Sequence, residues 1–308
     1  MSQTIDSSTV LVAGATGSLG FEICRQLMDK HAKVKGLVRT TSSPDRVAQL
    51  KELGVAIVEG DLRNISSLEK ALNGVSAVIS TVSSTVSRQQ GDSIESVDDE
   101  GQNNLVNAAS AAGVRQFVFV SFCNMPDQFP LQTAKRKVEE NLSKSGMSYT
   151  ILQPTYFMEI WLSPHVGFDY PNGKATIFGE GANRISWIAA KDVAAFAVAA
   201  LNNPAFENTS IELGGPDALS PLEVVTIFET IHNKKFDLQF VPEEALRAQK
   251  EAAADTLSES FAALMLGIAK GSVINMDRAK ELLKITLSSV KDYAARSVRA
   301  QQLSFSAQ

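Results

Sequence analysis

Thiols, imidazoles and long apolar runs are what this sequence has least of, and each scarcity closes a line of chemistry. Two cysteines in 308 residues, Cys24 and Cys123, build neither a disulfide framework nor a zinc site. Cys24 falls on an amphipathic stretch and reads as a small buried residue. His31, His165 and His232 are scattered, with no H-E-x-x-H or comparable ligand cluster, so no metal is expected. No G-x-S-x-G elbow is present for a serine hydrolase. The stretch from Gly167 to Ala175 is no P-loop, because five residues separate its glycines and Lys174 is followed by alanine. No apolar run approaches the roughly 20 residues of a membrane span. The amino terminus, Met1 to Ser8, is polar and lacks the charged-then-apolar pattern of a signal peptide. Acidic residues outnumber basic ones, 34 to 29, for a net charge of −5, which argues against bulk nucleic-acid binding. The expectation is a cytoplasmic, reduced protein, monomer or homodimer, with a small-molecule substrate and neither nucleic-acid nor membrane partners.

Hydrophobic residues at 44% and charged residues at 20% suit one large α/β domain with a smaller appended lobe. The organising stretch runs from Val10 to Ile23. An apolar run over 9–13 reads as a buried strand, and Leu19, Ile23 and Leu27 then fall on one helical face. Gly14, Gly17 and Gly20 sit where strand gives way to helix. Gly14 permits the tight turn, Gly17 lets backbone approach a pyrophosphate, and Gly20 lets the helix pack closely. With Thr16, Ser18 and Leu19 between them, these residues offer N–H groups and the positive end of a helix dipole to phosphate. G-x-x-G-x-x-G is a looser pattern than G-x-G-x-x-G, and its strand–loop–helix context carries the nucleotide-binding reading.

Further strands are expected over 33–38, 55–58, 75–81, 116–121, 148–153 and 209–213. Helices are expected over 44–53, 66–72, 97–112, 132–144 and 188–201, with a largely helical tail from Pro221. The alternation implies βαβ units, a parallel sheet and ligands outside the carboxyl ends of its strands. No period of 20–50 residues marks a repeat. After Pro154 the rhythm breaks into an aromatic segment holding Tyr156, Phe157, Trp161, Phe168, Tyr170 and Phe178. The nucleotide domain is assigned to 1–154 with 183–215 returning to it, and a substrate lobe to 155–182 and 216–308. Core packing is the plainer account of most of these aromatics taken singly.

These landmarks carry a resemblance. Gly14-Ala-Thr-Gly-Ser-Leu-Gly20, Leu37-Val-Arg39, Val58-Glu-Gly-Asp-Leu62, Val78-Ile-Ser-Thr81 and Gln116-Phe-Val-Phe-Val-Ser121 occur in order. Ala134-Lys135, Val138-Glu139, Tyr149-Thr-Ile-Leu-Gln-Pro154 leading to Phe157, and Ile188-Ala-Ala-Lys-Asp192-Val-Ala194 follow. Over about residues 9–215 the chain resembles the atypical short-chain dehydrogenases of the NmrA-like and isoflavone-reductase-like group. The resemblance implies a Rossmann doubly wound parallel sheet with a smaller C-terminal substrate lobe. It places Asp61 and Leu62 near an adenine, Thr81 and Val82 beside the nicotinamide ribose, and Pro154 and Phe157 along the cofactor. Asp61 reads equally as a helix-capping turn acid.

Arg39 ends the second strand 25 positions after Gly14, where an acid would hold the ribose of NAD. An arginine there suits the 2′-phosphate of NADP, with Arg46 a turn further on as a helper. Short-chain dehydrogenases normally carry Tyr-x-x-x-Lys, but four positions before Lys135 stands Leu131. In the reductases this chain resembles, a lone lysine takes the catalytic place, and Lys135 aligns with it. Its ammonium would bond the nicotinamide ribose and polarise or protonate an oxygen that gains charge, burial lowering its pKa. The competing account is a solvated helix face with pairs Lys135–Glu139 and Arg136–Glu140, and Arg136 and Lys137 are read as solvated. Ser121 is either a strand-end hydroxyl facing substrate or a turn cap. Phe122, Cys123, Asn124, Tyr156 and Trp161 are candidate substrate contacts, and Tyr156 a candidate replacement phenol. The resulting expectation is an NADPH-dependent reductase acting on a small, largely apolar carbonyl, enone, quinone-like or aryl-ether acceptor. The alternative is an NADP(H)-sensing regulator, with a sugar-nucleotide epimerase weaker because it needs the absent tyrosine.

Overall fold

The structure, a computed structural model, describes the backbone of residues 8–85 and 89–306, with side chains up to residue 298. Of the polar segment Met1–Ser8, all but Ser8 lies outside the described residues. The chain divides into two units. The first runs to Asn124 and includes Gln128–Gln153 and Val193–Ile211; the second holds Met125–Asp127, Pro154–Asp192 and the chain from Glu212 onward. Residues 183–192, assigned from sequence to the nucleotide domain, group with the second unit.

Strands β1 (Thr9–Ala13), β2 (Lys33–Val38), β3 (Ala56–Glu59), β4 (Ala77–Ser80), β5 (Gln116–Val120) and β6 (Ser148–Pro154) come first. Between them lie α1 (Ser18–Asp29), α2 (Pro44–Glu52), α3 (Ile65–Leu72), α4 (Glu100–Ala111) and α5 (Pro130–Lys144). There follow α6 (Met158–Trp161), β7 (Phe168–Asp169), β8 (Lys174–Phe178), α7 (Ala190–Ala200), β9 (Thr209–Leu213) and α8 (Pro221–His232). The chain ends with β10 (Asp237–Val241), α9 (Glu243–Glu251), α10 (Thr256–Lys270), α11 (Asp277–Leu282) and α12 (Val290–Ser306).

A seven-stranded sheet has the order β3-β2-β1-β4-β5-β6-β9, with parallel pairing from β3 through to β6. Asn208 N–H bonds Tyr149 O at 2.7 Å and Thr155 N–H bonds Leu213 O at 2.9 Å, so β9 also runs parallel to β6. Strands covered on both faces must be apolar almost throughout. Accordingly Val10, Leu11, Val12 and Ala13 are all buried, as is every residue of β4 and β5. One core cluster joins Leu11, Val78, Phe117 and Phe119 of the sheet to Leu68 and Leu72 of α3, Leu105 of α4, and Val138 and Leu142 of α5. On α1, Ile23, Cys24 and Leu27 are buried, and burial pushes the Cys24 thiol up to about 12, which makes it inert.

Two expectations need correcting. The helix read as starting near Val97 begins instead with a π-type turn, Ile94–Asp99, capped by a Ser93–Ser96 box, before α4 takes over. Asp98 lies on this wider turn and is buried. The helical tail is also interrupted by β10, which pairs parallel with β8 in a second sheet of order β10-β8-β7.

Candidate active site

Backbone shape defines one end of the site. Gly14 has φ of +83°, and a Cβ there would meet Thr81 Oγ1 at 2.5 Å. Gly17 N–H bonds Gly14 O at 3.0 Å. A Cβ on Gly20 would lie 2.1 Å from the same carbonyl, so the third glycine lets α1 close onto its own loop. Gly17 caps α1 in an extended conformation without any side-chain cap, and Gly17 and Ser18 are exposed. The uncapped first-turn N–H groups and the dipole's positive end form a cradle that fits phosphate, with half-buried Thr16 and Leu19 beside it.

At the end of β2, Arg39 donates to both oxygens of Asp92, at 2.8 and 3.0 Å. Arg63 grips Asp61 through two bonds of 3.0 and 2.7 Å and lies 3.5 Å from Asp92. Those bonds hold the Asp61 carboxyl below its ordinary range. Arg46 does not join Arg39: it stacks over Phe21 at 5.3 Å and bonds Gln49. The Leu62 side chain is part of the core, and its carbonyl accepts from Asn104 at 3.1 Å. Thr81 spends its N–H and its hydroxyl on Ala13 O, at 3.0 and 3.2 Å, while half-buried Val82 packs on the core and accepts from Gln102.

Lys135 is 6% exposed, which rules out the solvated-face account. Its Nζ lies 3.5 Å from Val120 O, 4.0 Å from Asp98 Oδ1 and 5.3 Å from the centre of the Phe119 ring. Burial lowers its pKa below the ordinary lysine value; the charges of Asp98 and then Glu139 pull upward, against Arg136. Asp98 is fully buried; its Oδ2 accepts from Ser84 N–H at 2.9 Å and Ser84 Oγ at 2.6 Å, while Oδ1 has no hydrogen bond among the described residues.

The pairs around α5 also differ from expectation. Arg136, read as solvated, is partly buried and bonds Glu139 and, at 2.6 Å, Phe122 O. Glu139 also accepts from Ser121 Oγ and from Gln153 at 3.1 Å. Ser121 thus gives its proton to a carboxylate of its own unit in this structure. Lys137 is exposed and pairs with Asp99 at 2.5 Å, in keeping with a solvated role. Of the residues after β5, Phe122 is half-buried and Asn124 exposed, whereas Cys123 is wholly buried and offers no pocket surface.

In the second unit Tyr156 is 1% exposed, sits edge-on to Trp161, and donates its hydroxyl to Leu264 O at 3.1 Å. A phenol so enclosed is part of that unit's core, which withdraws it as the replacement proton donor. Trp161 lines a small cavity with Phe168, Ile177, Phe178 and Trp187. Pro154 is buried at the end of β6, and Phe157 precedes α6 in a backbone bridge to Ile188. Among the described residues no cluster of three or more acids, histidines or cysteines fits a metal ion, and no helix is long and apolar enough to cross a membrane.

Sequence reasoning missed Asp98, Glu139, Arg63 and Asp92 as parts of the site. Arg63 had a visible signal, a cation two positions after Asp61. Asp92 had none, because its segment returns to β2 only through tertiary structure.

A sequence profile of the NmrA-like family matches residues 6–293. The chain is 30% identical over 263 residues to an NAD(P)H azoreductase of Xenophilus azovorans, covering 82% of this chain and 86% of that protein. It is 32% identical over 240 residues to a photosystem II assembly factor of Synechocystis, covering 77% of this chain and 72% of that one. An NADPH-dependent quinone oxidoreductase of Escherichia coli, solved with NADPH, matches with a TM-score of 0.76 at 21% identity, over 94% of this chain and 99% of the other. The likeness at this level is one of fold, an α/β Rossmann architecture with a parallel central sheet.

Proposed function

We propose a function from one premise: this chain belongs to the NmrA-like family. The protein is an NADPH-dependent oxidoreductase of the atypical short-chain dehydrogenase type, acting on a small, largely apolar carbonyl, enone, quinone-like or aryl-ether acceptor. The glycine loop supports dinucleotide binding, since its tight turn at Gly14 and the close packing of α1 at Gly20, where a Cβ would strike Thr81 or the Gly14 carbonyl, leave the uncapped N–H groups of α1 facing outward. Arg39 supports the choice of the 2′-phosphate form. Bound NADPH supplies the hydride. The chain supplies the complement, a cation where negative charge develops on the acceptor oxygen.

The observation that carries the reading is the burial of Lys135 beside the carboxyl end of β5, close to Asp98 and Val120 O. An ammonium kept out of water stabilises an oxyanion far better than a solvated one. Its depressed pKa also makes it a better proton donor to that oxygen. With the protons of Ser121 and Tyr156 committed elsewhere, the donor role falls to Lys135. A second reading, an NADP(H)-binding regulator without turnover, is favoured by buried Leu131 at the position where a phenol would stand. Single-turnover oxidation of NADPH with a panel of quinones, enones, azo compounds and aryl ethers separates the two. Turnover by wild type and loss in Lys135→Met supports the reductase. NADPH binding by both proteins with turnover by neither supports the regulator.

A further inference from the structure

Two arginines and two aspartates meet beside the end of β2. The Asp92 side chain is 1% exposed and accepts two bonds from Arg39 Nη1, while Arg39 stays 23% exposed. Arg63 touches the same carboxylate from the other side, and its own partner is Asp61. Asp92 arrives on the segment after β4, and in the sheet β1 lies between β4 and β2. That segment is fastened to the same turn a second time: Gln89 Nε2 donates to Thr41 O at 3.1 Å, and the Thr41 hydroxyl donates to Gln89 Oε1. The contact between Asp92 and Arg39 is therefore one of two fastenings that hold residues 89–92 to the turn after β2.

We propose that Asp92 is a specificity-determining residue for the cofactor: by holding the Arg39 guanidinium, it narrows the preference for NADPH over NADH. The inference rests on the proposed reading that Arg39 meets the 2′-phosphate. The Asp92 carboxylate sets a negative charge directly against the Arg39 guanidinium. A phosphate dianion placed beside Arg39 therefore also meets that buried carboxylate, which opposes it. A ribose 2′-hydroxyl carries no charge, so the buried Asp92 carboxylate does not repel it. Asp92 thus opposes one cofactor and leaves the other unaffected. Asp92→Asn keeps the shape and an acceptor oxygen while deleting the charge.

The test is a fluorescence titration of NADPH and NADH against wild type, Asp92→Asn, Arg39→Ala and the double variant, with circular dichroism as the folding check. Asp92→Asn is expected to tighten NADPH about tenfold, equivalent to about 1.4 kcal/mol, and to shift NADH by less than about twofold. In the Arg39→Ala background that gain disappears. An Asp92→Asn protein that binds NADPH more weakly, or that shifts both cofactors together, overturns the proposal. An Arg39→Ala protein whose NADPH-to-NADH ratio matches wild type defeats the reading of Arg39 itself, and the proposal with it. Should Asp92→Asn not fold, Asp92→Ser carries the same comparison.

Discussion

Lys135 holds its amine where water scarcely reaches it, and its neighbours set how readily that amine carries a proton. Phe119 and Val120 come from β5, Asp98 from the π-type turn, and Arg136 and Glu139 from its own helix. Lys135→Met preserves length and apolar stem, so the fold is expected to survive while the turnover rate falls roughly 10²–10⁴-fold, the usual contribution of a general acid. NADPH binding measured by fluorescence checks that the loss lies in chemistry. A pH prediction follows from the same geometry. The acid form is the active one for reduction, so the rate falls as pH rises through a pKa that burial has moved below 10.5. Asp98 is the main charge holding that pKa up, with Glu139 behind it. Asp98→Asn is therefore expected to move the fall in turnover to lower pH without altering NADPH affinity; an unmoved profile would mean that Asp98 has no hold on Lys135.

At the scale of elements, the glycine loop is the tightest constraint. Adding a methyl at Gly20 places it 2.1 Å from the Gly14 carbonyl, inside van der Waals contact with backbone that has nowhere to go. Gly20→Ala is expected to cost about 1–3 kcal/mol, as overpacking does, and to abolish NADPH binding. Urea unfolding and the same fluorescence titration measure the two losses. This loop, β1 and β2 were legible because apolar runs and glycines are local signals: both strands have the bounds that the sequence predicts. Lys135 was singled out by its likeness to the lone lysine of the reductases this chain resembles and by its place after β5, and the structure buries it there. Its neighbour Asp98 was not, because an extra residue in one helical turn leaves no mark on hydrophobic periodicity, and acids at 98–100 suit the start of any helix. β10 was lost for a different reason. Its residues Asp237 to Val241 are exposed or half-buried, so no apolar face distinguishes the strand from the helices around it.

At the scale of the whole molecule, stability depends on how the acids divide between those that folding favours as anions and those it penalises. Asp61, Asp127, Asp255 and Asp292 are held below the ordinary carboxyl range, the first two by cation partners and the last two by hydrogen bonds at helix starts. They contribute stability above the unfolded pKa that is lost as pH falls through their lowered values. Glu159 and Asp192 work in the opposite direction. Glu159 Oε2 accepts from Ala190 N–H at 2.9 Å, and Asp192 accepts from Ser288 N–H at 2.7 Å, both in the second unit. Burial raises both carboxyls above their ordinary values despite those bonds. A folded state that binds its proton more tightly than the unfolded chain loses stability as pH rises from the unfolded pKa to the folded one. Glu159→Gln keeps the acceptor to Ala190 and never ionises, so it lacks this penalty. The variant is expected to gain on wild type as pH rises from about 4.5, with the gain levelling off once Glu159 is fully ionised in the native state. Urea midpoints for both proteins at pH 5 through 8 measure the gap. A gap that stays constant across that range would show that Glu159 ionises as freely in the folded protein as in the unfolded chain.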